Sequence, residues 1–193
     1  SLLVSIRLPA STLSPIPNLP VEILQPVVVV FFALPLVFAA GMLGPIASTL
    51  AGLASGIWLG LYGTHSLFTP VEVAGIGLFF GIAVSQGYRT AFFRLLRHPV
   101  GAAFVVGLAF VPVFLLSAFF STPGEIAERI DFAITQNWLR IGARVIELVV
   151  AGGLAEIFYL SSMKGWRRPK ELTPSPAEAS LQTRFLSLTL PVA

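Results

Sequence analysis

Two carboxylates stand out because of where they sit. Glu147 and Glu156 lie inside an apolar stretch near the C-terminal end of the chain. A carboxylate held in an apolar environment must be paired, wet or protonated, because its bare charge costs several kcal/mol. That makes each one a candidate ligand or proton site. They are about two and a half helical turns apart and face nearly opposite sides of an ideal helix, which argues against a shared two-carboxylate centre. Arg140 and Arg144 lie within reach of Glu147, so an ion pair is the plainer reading there. For Glu156 the plainer reading is a hydrogen bond between helices or an extension toward the Lys164 end. His65 and Glu72 flank a short loop and can meet across it, but two groups do not make a metal site. His98 precedes Pro99 at a helix start and reads as an interfacial residue.

The second pattern is steric. Gly52, Gly56 and Gly60 stand four apart, preceded at the same spacing by Ser48. Small residues at this spacing let another backbone approach closely. The partner is the protein's own bundle, a ligand or another subunit. Gly77 and Gly81 repeat the pattern. With no Cys, disulfides, thiolate metal sites and Cys nucleophiles are excluded. No phosphate-binding Gly loop, H-E-x-x-H, nucleophile elbow or haem motif is present. The chain reads as non-enzymatic. No cofactor is predicted, although backbone or water can ligate a chlorin, so pigment and lipid stay open as ligands.

The elements that must carry these residues are apolar helices. Between Glu22 and Glu72 there is no Lys, Arg, Asp or Glu. A spanning helix needs roughly 20 apolar residues, so the run Ile23–Val71 is long enough to cross a bilayer twice. The whole chain of 193 residues is 55% hydrophobic and 11% charged, with mean hydropathy +0.87. The expected fold is all-α: a polytopic transmembrane helical bundle with about five spans and one interfacial amphipathic helix. The spans fall at about 26–40, 44–62, 71–86, 99–120 and 143–163. Pro35 interrupts the first, Pro45 opens the second and Pro112 kinks the fourth. A single long helix in place of the first two spans is the alternative; Gly41, Gly44 and Pro45 favour a turn.

Charge placement gives the orientation. The net charge of +3 sits in short loops, so it reads as topology information rather than as a nucleic-acid footprint. Arg89, Arg94 and Arg97, with Phe92 and Phe93, form a basic hinge that attracts anionic lipid. With the KGWRRPK segment they mark the cytoplasmic side. The loop GTHSLFTP lacks Lys and Arg and fits the outside, as does a Pro-rich lead over 1–25. In STPGEIAERIDFAITQNWLRIGAR, Thr122, Pro123 and Glu125 form a helix start with a capping box. Ile126, Ile130, Ile134, Trp138, Ile141 and Val145 then recur at helical spacing, giving an interfacial helix over about 123–141. Arg140 and Arg144 sit on the wrong side for this topology, and Glu128 and Asp131 are their expected partners. Residues 164–193 read as a cytoplasmic polar linker with a short apolar tail. The chain begins at Ser1 rather than Met, which reads as a processed start or a piece of something longer.

The first third of the chain carries a resemblance. Pro15, Pro17 and Pro20, then Gln25 in an apolar span, then Gly44, Pro45, Gly52 and Gly56, resemble the opening of two families. One is the membrane-embedded S components of energy-coupling-factor vitamin transporters; the other is the multi-span region of LytS-type bacterial sensors. The first resemblance implies a substrate cavity among spans one, two and five, although S components have six spans. The second implies a ligand- or lipid-responsive bundle that passes motion through the fifth span to Arg167 and Arg168. The C-terminal SLQTRFLSLTLPVA resembles the entry to a further span in sensor proteins and favours that reading. The expected function is therefore a sensor-like module in the bacterial inner membrane, C-terminus cytoplasmic, with the bilayer and a membrane protein as partners and no nucleic acid. The alternatives are the transporter component and an accessory subunit of a respiratory or photosynthetic complex. Gln25, Gly52, Gly56, Gly60, Glu147 and Glu156 are the candidate ligand or interface residues.

Overall fold

Proline decides where most helices of this chain begin. Pro35, Pro45, Pro70, Pro99 and Pro112 each fall at one of the first two positions of a helix. A missing N–H costs nothing there, and the fixed φ already suits the helix. The computed structural model describes residues 5–7, 27–29, 31–64, 66–122, 124–161, 165–167 and 171–175. Among these the chain is all-α, apart from one short antiparallel pairing of β1 (Ser5–Arg7) with β2 (Val27–Val29). Gln25, His65, Pro123, Lys164, Arg168 and the tail from 176 onward lie outside the described residues.

The first helix corrects the expectation of a span over 26–40. α1 runs Leu34–Met42, and Val27–Val29 form a strand instead. Consecutive β-branched valines favour the extended backbone over the helix. Pro35 opens α1 rather than interrupting it. Gly44 then turns the chain with φ 102°, a left-handed conformation that side-chain-bearing residues avoid. This turn separates α1 from α2 (Pro45–Leu59). A π turn, Gly60–Thr64, extends α2, and α3 runs back over Thr69–Ser85.

The second half is built around α5 (Pro99–Ala109) and α6 (Val111–Ser121). Only Phe110 separates them. Its N–H bonds Val106 at 3.0 Å, and Phe114 bonds Phe110 at 3.0 Å, so the ladder continues past the break. Pro112 cannot donate to Leu108, which places the irregularity there. Ahead of α5, the short α4 (Ala91–Arg97) meets it at 102°.

The cap before α7 also differs from expectation. α7 spans Ile126–Asp131 with Glu125 as N-cap, and Glu125 and Glu128 form the capping box. Thr122 closes α6 instead, its hydroxyl donating to the Ala118 carbonyl at 2.7 Å. A second π turn, Phe132–Gln136, joins α7 to α8 (Trp138–Leu160). The expected interfacial helix and fifth span are thus one helical run with a π turn inside it.

Small residues set the packing. A Cβ on Gly52 would meet the Val73 carbonyl at 2.5 Å, and one on Gly81 would meet Pro45 Cα at 2.5 Å. α2 and α3 therefore touch backbone to backbone, as small-residue faces allow. The buried Ser48 hydroxyl donates to the Leu36 carbonyl at 2.8 Å and ties α1 to the same pair. α5 packs on α8, where Gly152 meets Ala103 and the Pro99 carbonyl. Leu36, Val37, Phe80, Ala102 and Ala151 fill the centre. By length and apolarity, Pro45–Tyr62 is one segment able to cross a membrane among the described residues; α4 and α5, taken as one bent segment, make a second.

Candidate functional site

Opposite ends of the bundle hold different chemistry, and α8 reaches both. At the Thr64 end, Arg144 Nη1 donates to Glu147 Oε2 at 2.6 Å. Glu147 is 1% exposed. The Arg144 guanidinium also lies 5.4 Å from the centre of the Phe32 ring, within cation–π range. One turn earlier comes Arg140, which precedes the expected span. Its side chain lines the same cavity as Arg144 and as Glu72 of α3.

Asn137 completes this centre. It follows the second π turn and is 3% exposed. Its Nδ2 donates to the Phe114 carbonyl at 3.3 Å. Its Oδ1 is buried without a partner among the described residues. Such an acceptor costs free energy unless something donates to it. Thr64 closes the first π turn, and its hydroxyl lies 2.6 Å from that of Thr69. Thr64, Glu72, Asn137, Arg140 and Arg144 line one cavity of about 20 Å³, room for a single water-sized guest. Glu72 and Arg144 also border a second cavity of about 20 Å³, whose other walls include Phe32, Leu36, Val73 and Leu148. The end of the first π turn, Thr64, and the residue after the second, Asn137, thus line one polar cavity. Such turns widen a helix and frequently sit at functional sites.

The Arg144–Glu147 pair is the plainer reading of Glu147, and it forms; Glu128 and Asp131 are not the partners of the arginines. Glu128 is used in the capping box, and Asp131 lies beside the Thr135 hydroxyl at 3.3 Å. Glu147 and Glu72 stand near Arg144 and Arg140 instead. The turn from α7 to α8 points both guanidiniums toward the bundle rather than back along α7.

At the Gly44 end, Glu156 Oε1 lies 2.7 Å from His98 Nδ1, and its Oε2 accepts from the Val100 N–H at 3.4 Å. His98 is therefore not merely an interfacial residue. The two are 58 positions apart in sequence, and no local pattern joins them. Packing of α5 on α8 brings them together. Tyr159 sits edge-on to His98 at 5.4 Å and to Trp166 at 5.8 Å. Trp166 lies flat against Gly41, and the Arg167 N–H donates to the Gly41 carbonyl at 2.8 Å. Further on, Thr173 exchanges backbone bonds with Gly87 and Arg89 at 2.9 and 3.0 Å. Residues 165–167 and 171–175, expected in a polar linker, are held against two loops of the bundle.

Of the sequence candidates, the structure brings Glu147 into the Thr64-end centre and Glu156 into the His98 pair. Gly52 and Gly56 are used in α2–α3 packing, and a Cβ on Gly60 would meet the Ser66 carbonyl at 3.2 Å. Gln25 lies outside the described residues. Sequence reasoning missed Asn137. An Asn directly before an apolar helix reads as a cap, yet its side chain makes no cap bond here. Among the described residues no cluster of three or more His, Cys, Asp or Glu could hold a metal. No protein-family model, curated protein or solved structure matches this chain.

Proposed function

We propose that this chain is a non-enzymatic, membrane-embedded helical module of sensor-like type, with about five crossings and its Gly44 end in the cytoplasm. The observation that carries the reading is α8. It holds the buried Arg144–Glu147 pair at one end, just past Asn137, and Glu156 and Tyr159 at the other. A 23-residue α-helix is about 34 Å long, enough for a hydrocarbon core. Polar groups inside such a core mark the working site of a membrane protein more often than its scaffold.

Surface chemistry supports the bilayer. Ile46, Ile57, Phe79, Phe104, Leu116 and Ile157 point outward from five different helices, more apolar surface than a water-soluble monomer presents. Trp58, Tyr62 and Trp138 stand exposed at the Thr64 end, the place of an interfacial aromatic belt. Arg89, Arg94, Arg97 and Arg167 gather at the Gly44 end, which fits the cytoplasmic side. The 102° bend lays α4 across that side if α5 crosses. Ile126, Ile130, Ile134 and Trp138 are all exposed, as an interfacial helix requires.

The absence of Cys makes the test direct. Single Cys residues at Leu67 and Leu172 are labelled in intact cells and after permeabilisation with a membrane-impermeant thiol reagent. The reading expects Leu67→Cys to react in intact cells and Leu172→Cys only after permeabilisation. Release of the protein from membranes by alkaline carbonate would end it.

A further inference from the structure

We infer that the exposed face of α4 is a docking surface for anionic phospholipid, with Arg94 as the residue that selects the charge of the head group. The inference rests on the reading of the Gly44 end as the cytoplasmic membrane surface, and it names the lipid class that this surface takes.

Packing fixes which side α4 presents. Leu96 is buried. The Gln86 amide donates to the Phe93 carbonyl at 2.5 Å and accepts from the Tyr88 N–H at 2.8 Å. Arg97 Nη1 donates to the Tyr88 carbonyl at 2.6 Å. These contacts hold one side of the helix to the loop after α3. Ala91, Phe92, Arg94 and Leu95 remain exposed, and at about 100° per residue they form one continuous arc. Phe92 and Leu95 are 55% and 49% exposed. Arg94 borders them, and Arg97 comes next round the helix. An apolar arc edged by guanidiniums suits a helix lying in a membrane interface. Its apolar side chains enter the acyl boundary and its cations reach phosphate. The 102° bend between α4 and α5 gives α4 that attitude when α5 crosses the bilayer.

Charge selects the lipid. From Val73 to Gly124 the sequence contains no Asp or Glu, so neither α4, the loop before it, α5 nor α6 supplies a carboxylate. Among the described residues, the Gly44 end carries Arg89, Arg94, Arg97 and Arg167 against Glu156 and Glu171. Glu156 is already engaged by His98 and the Val100 N–H. Arg94 makes no hydrogen bond or ion pair among the described residues. The surplus is positive, and a zwitterionic head group does not neutralise it. An anionic one does, with a preference of about fivefold for each arginine near the surface.

The test places the full chain in vesicles of phosphatidylcholine and phosphatidylglycerol. Because the chain has no Cys, Phe92→Cys and Ile57→Cys each carry a single fluorophore. A nitroxide on the acyl chain of one lipid or the other is the quencher. At Phe92→Cys, phosphatidylglycerol should be enriched over phosphatidylcholine by at least about fivefold, and added salt should weaken that preference. At Ile57→Cys, on the outward side of α2, the two lipids should quench alike. Adding Arg94→Gln should lower the enrichment at position 92 about fivefold, while Arg94→Lys should keep it. Equal quenching by both lipids at position 92 overturns the proposal, as does an enrichment that Arg94→Gln leaves unchanged. Quenching at position 57 with none at position 92 overturns it too: a protein then covers α4, and the membrane reading stands. Absence of quenching at both positions removes the membrane reading and this inference together.

Discussion

Glu147 and Glu156 show how far exposure changes the worth of similar contacts. The Arg144 and Glu147 side chains are 16% and 2% exposed. Removing one partner of such a pair leaves a buried charge unmatched, at a cost of about 3–5 kcal/mol. Replacing both by apolar groups removes that penalty. Glu147→Leu should therefore destabilise strongly, whereas Arg144→Met with Glu147→Leu should recover most of the loss. Thermal unfolding of the three variants in one detergent checks this; a double variant no better than the single would mean the two charges do not depend on each other. His98 is 43% exposed in its pair with Glu156, and solvent screens it. A double-mutant cycle on His98→Ala and Glu156→Ala should give a coupling below about 1 kcal/mol. A larger coupling would mean that the His98–Glu156 contact is drier than its exposure indicates.

Among the elements, the α2–α3 pair depends on its glycines, while α8 depends on Gly152 against α5 but not on Gly142 or Gly153. A Cβ at Gly52 runs into the Val73 backbone, and one at Gly77 into the Ser48 carbonyl. Backbone atoms cannot move aside without moving the helix. Gly142 and Gly153 of α8 have nothing within 4 Å of a built Cβ. Gly52→Ala should thus lower the melting temperature, while Gly153→Ala should leave it equal or raise it, since alanine gains up to about 1 kcal/mol in a helix. Equal responses at the two sites would refute close α2–α3 contact. The same helices show what the sequence discloses. Pro45, Gly44 and the four-residue glycine spacing are local signals, and the Gly-Pro turn and both flanking helices follow from them. Arg144 and Glu147 lie one turn apart, so their pairing too was within reach. The strand at Val27–Val29 is not legible in the sequence, because a Val run is equally apolar in a span and in a strand. The π turns carry no composition signal at all; they appear only where packing forces an extra residue into a turn. Asn137 and His98 were hidden for a related reason, since their partners Phe114 and Glu156 come from other helices.

At the scale of the whole molecule, α8 carries Arg144 and Glu147 at one polar end and Glu156 at the other. Beyond it, Trp166 and Arg167 rest on the α1–α2 turn, while Thr173 pairs with the backbone between α3 and α4. A helix is stiff along its axis. A shift or rotation begun at Glu147 must therefore reach this clasp or be absorbed by the π turn at Phe132–Gln136. The π turn lies on the N-terminal side of Glu147, and α8 runs on from Glu147 to Leu160 without a break. A built Cβ on Gly165 lies 3.1 Å from the Met42 side chain, which suits a reporter pair. Met42→Cys with Gly165→Cys should crosslink readily through a short bifunctional thiol reagent. Adding Arg144→Met, at the far end of α8, should slow that crosslinking if the helix transmits motion. Adding Leu67→Ala, on the exposed loop of the same end, should not. An unchanged rate with Arg144→Met would show that the two ends work independently, and α8 would then be a scaffold rather than a lever.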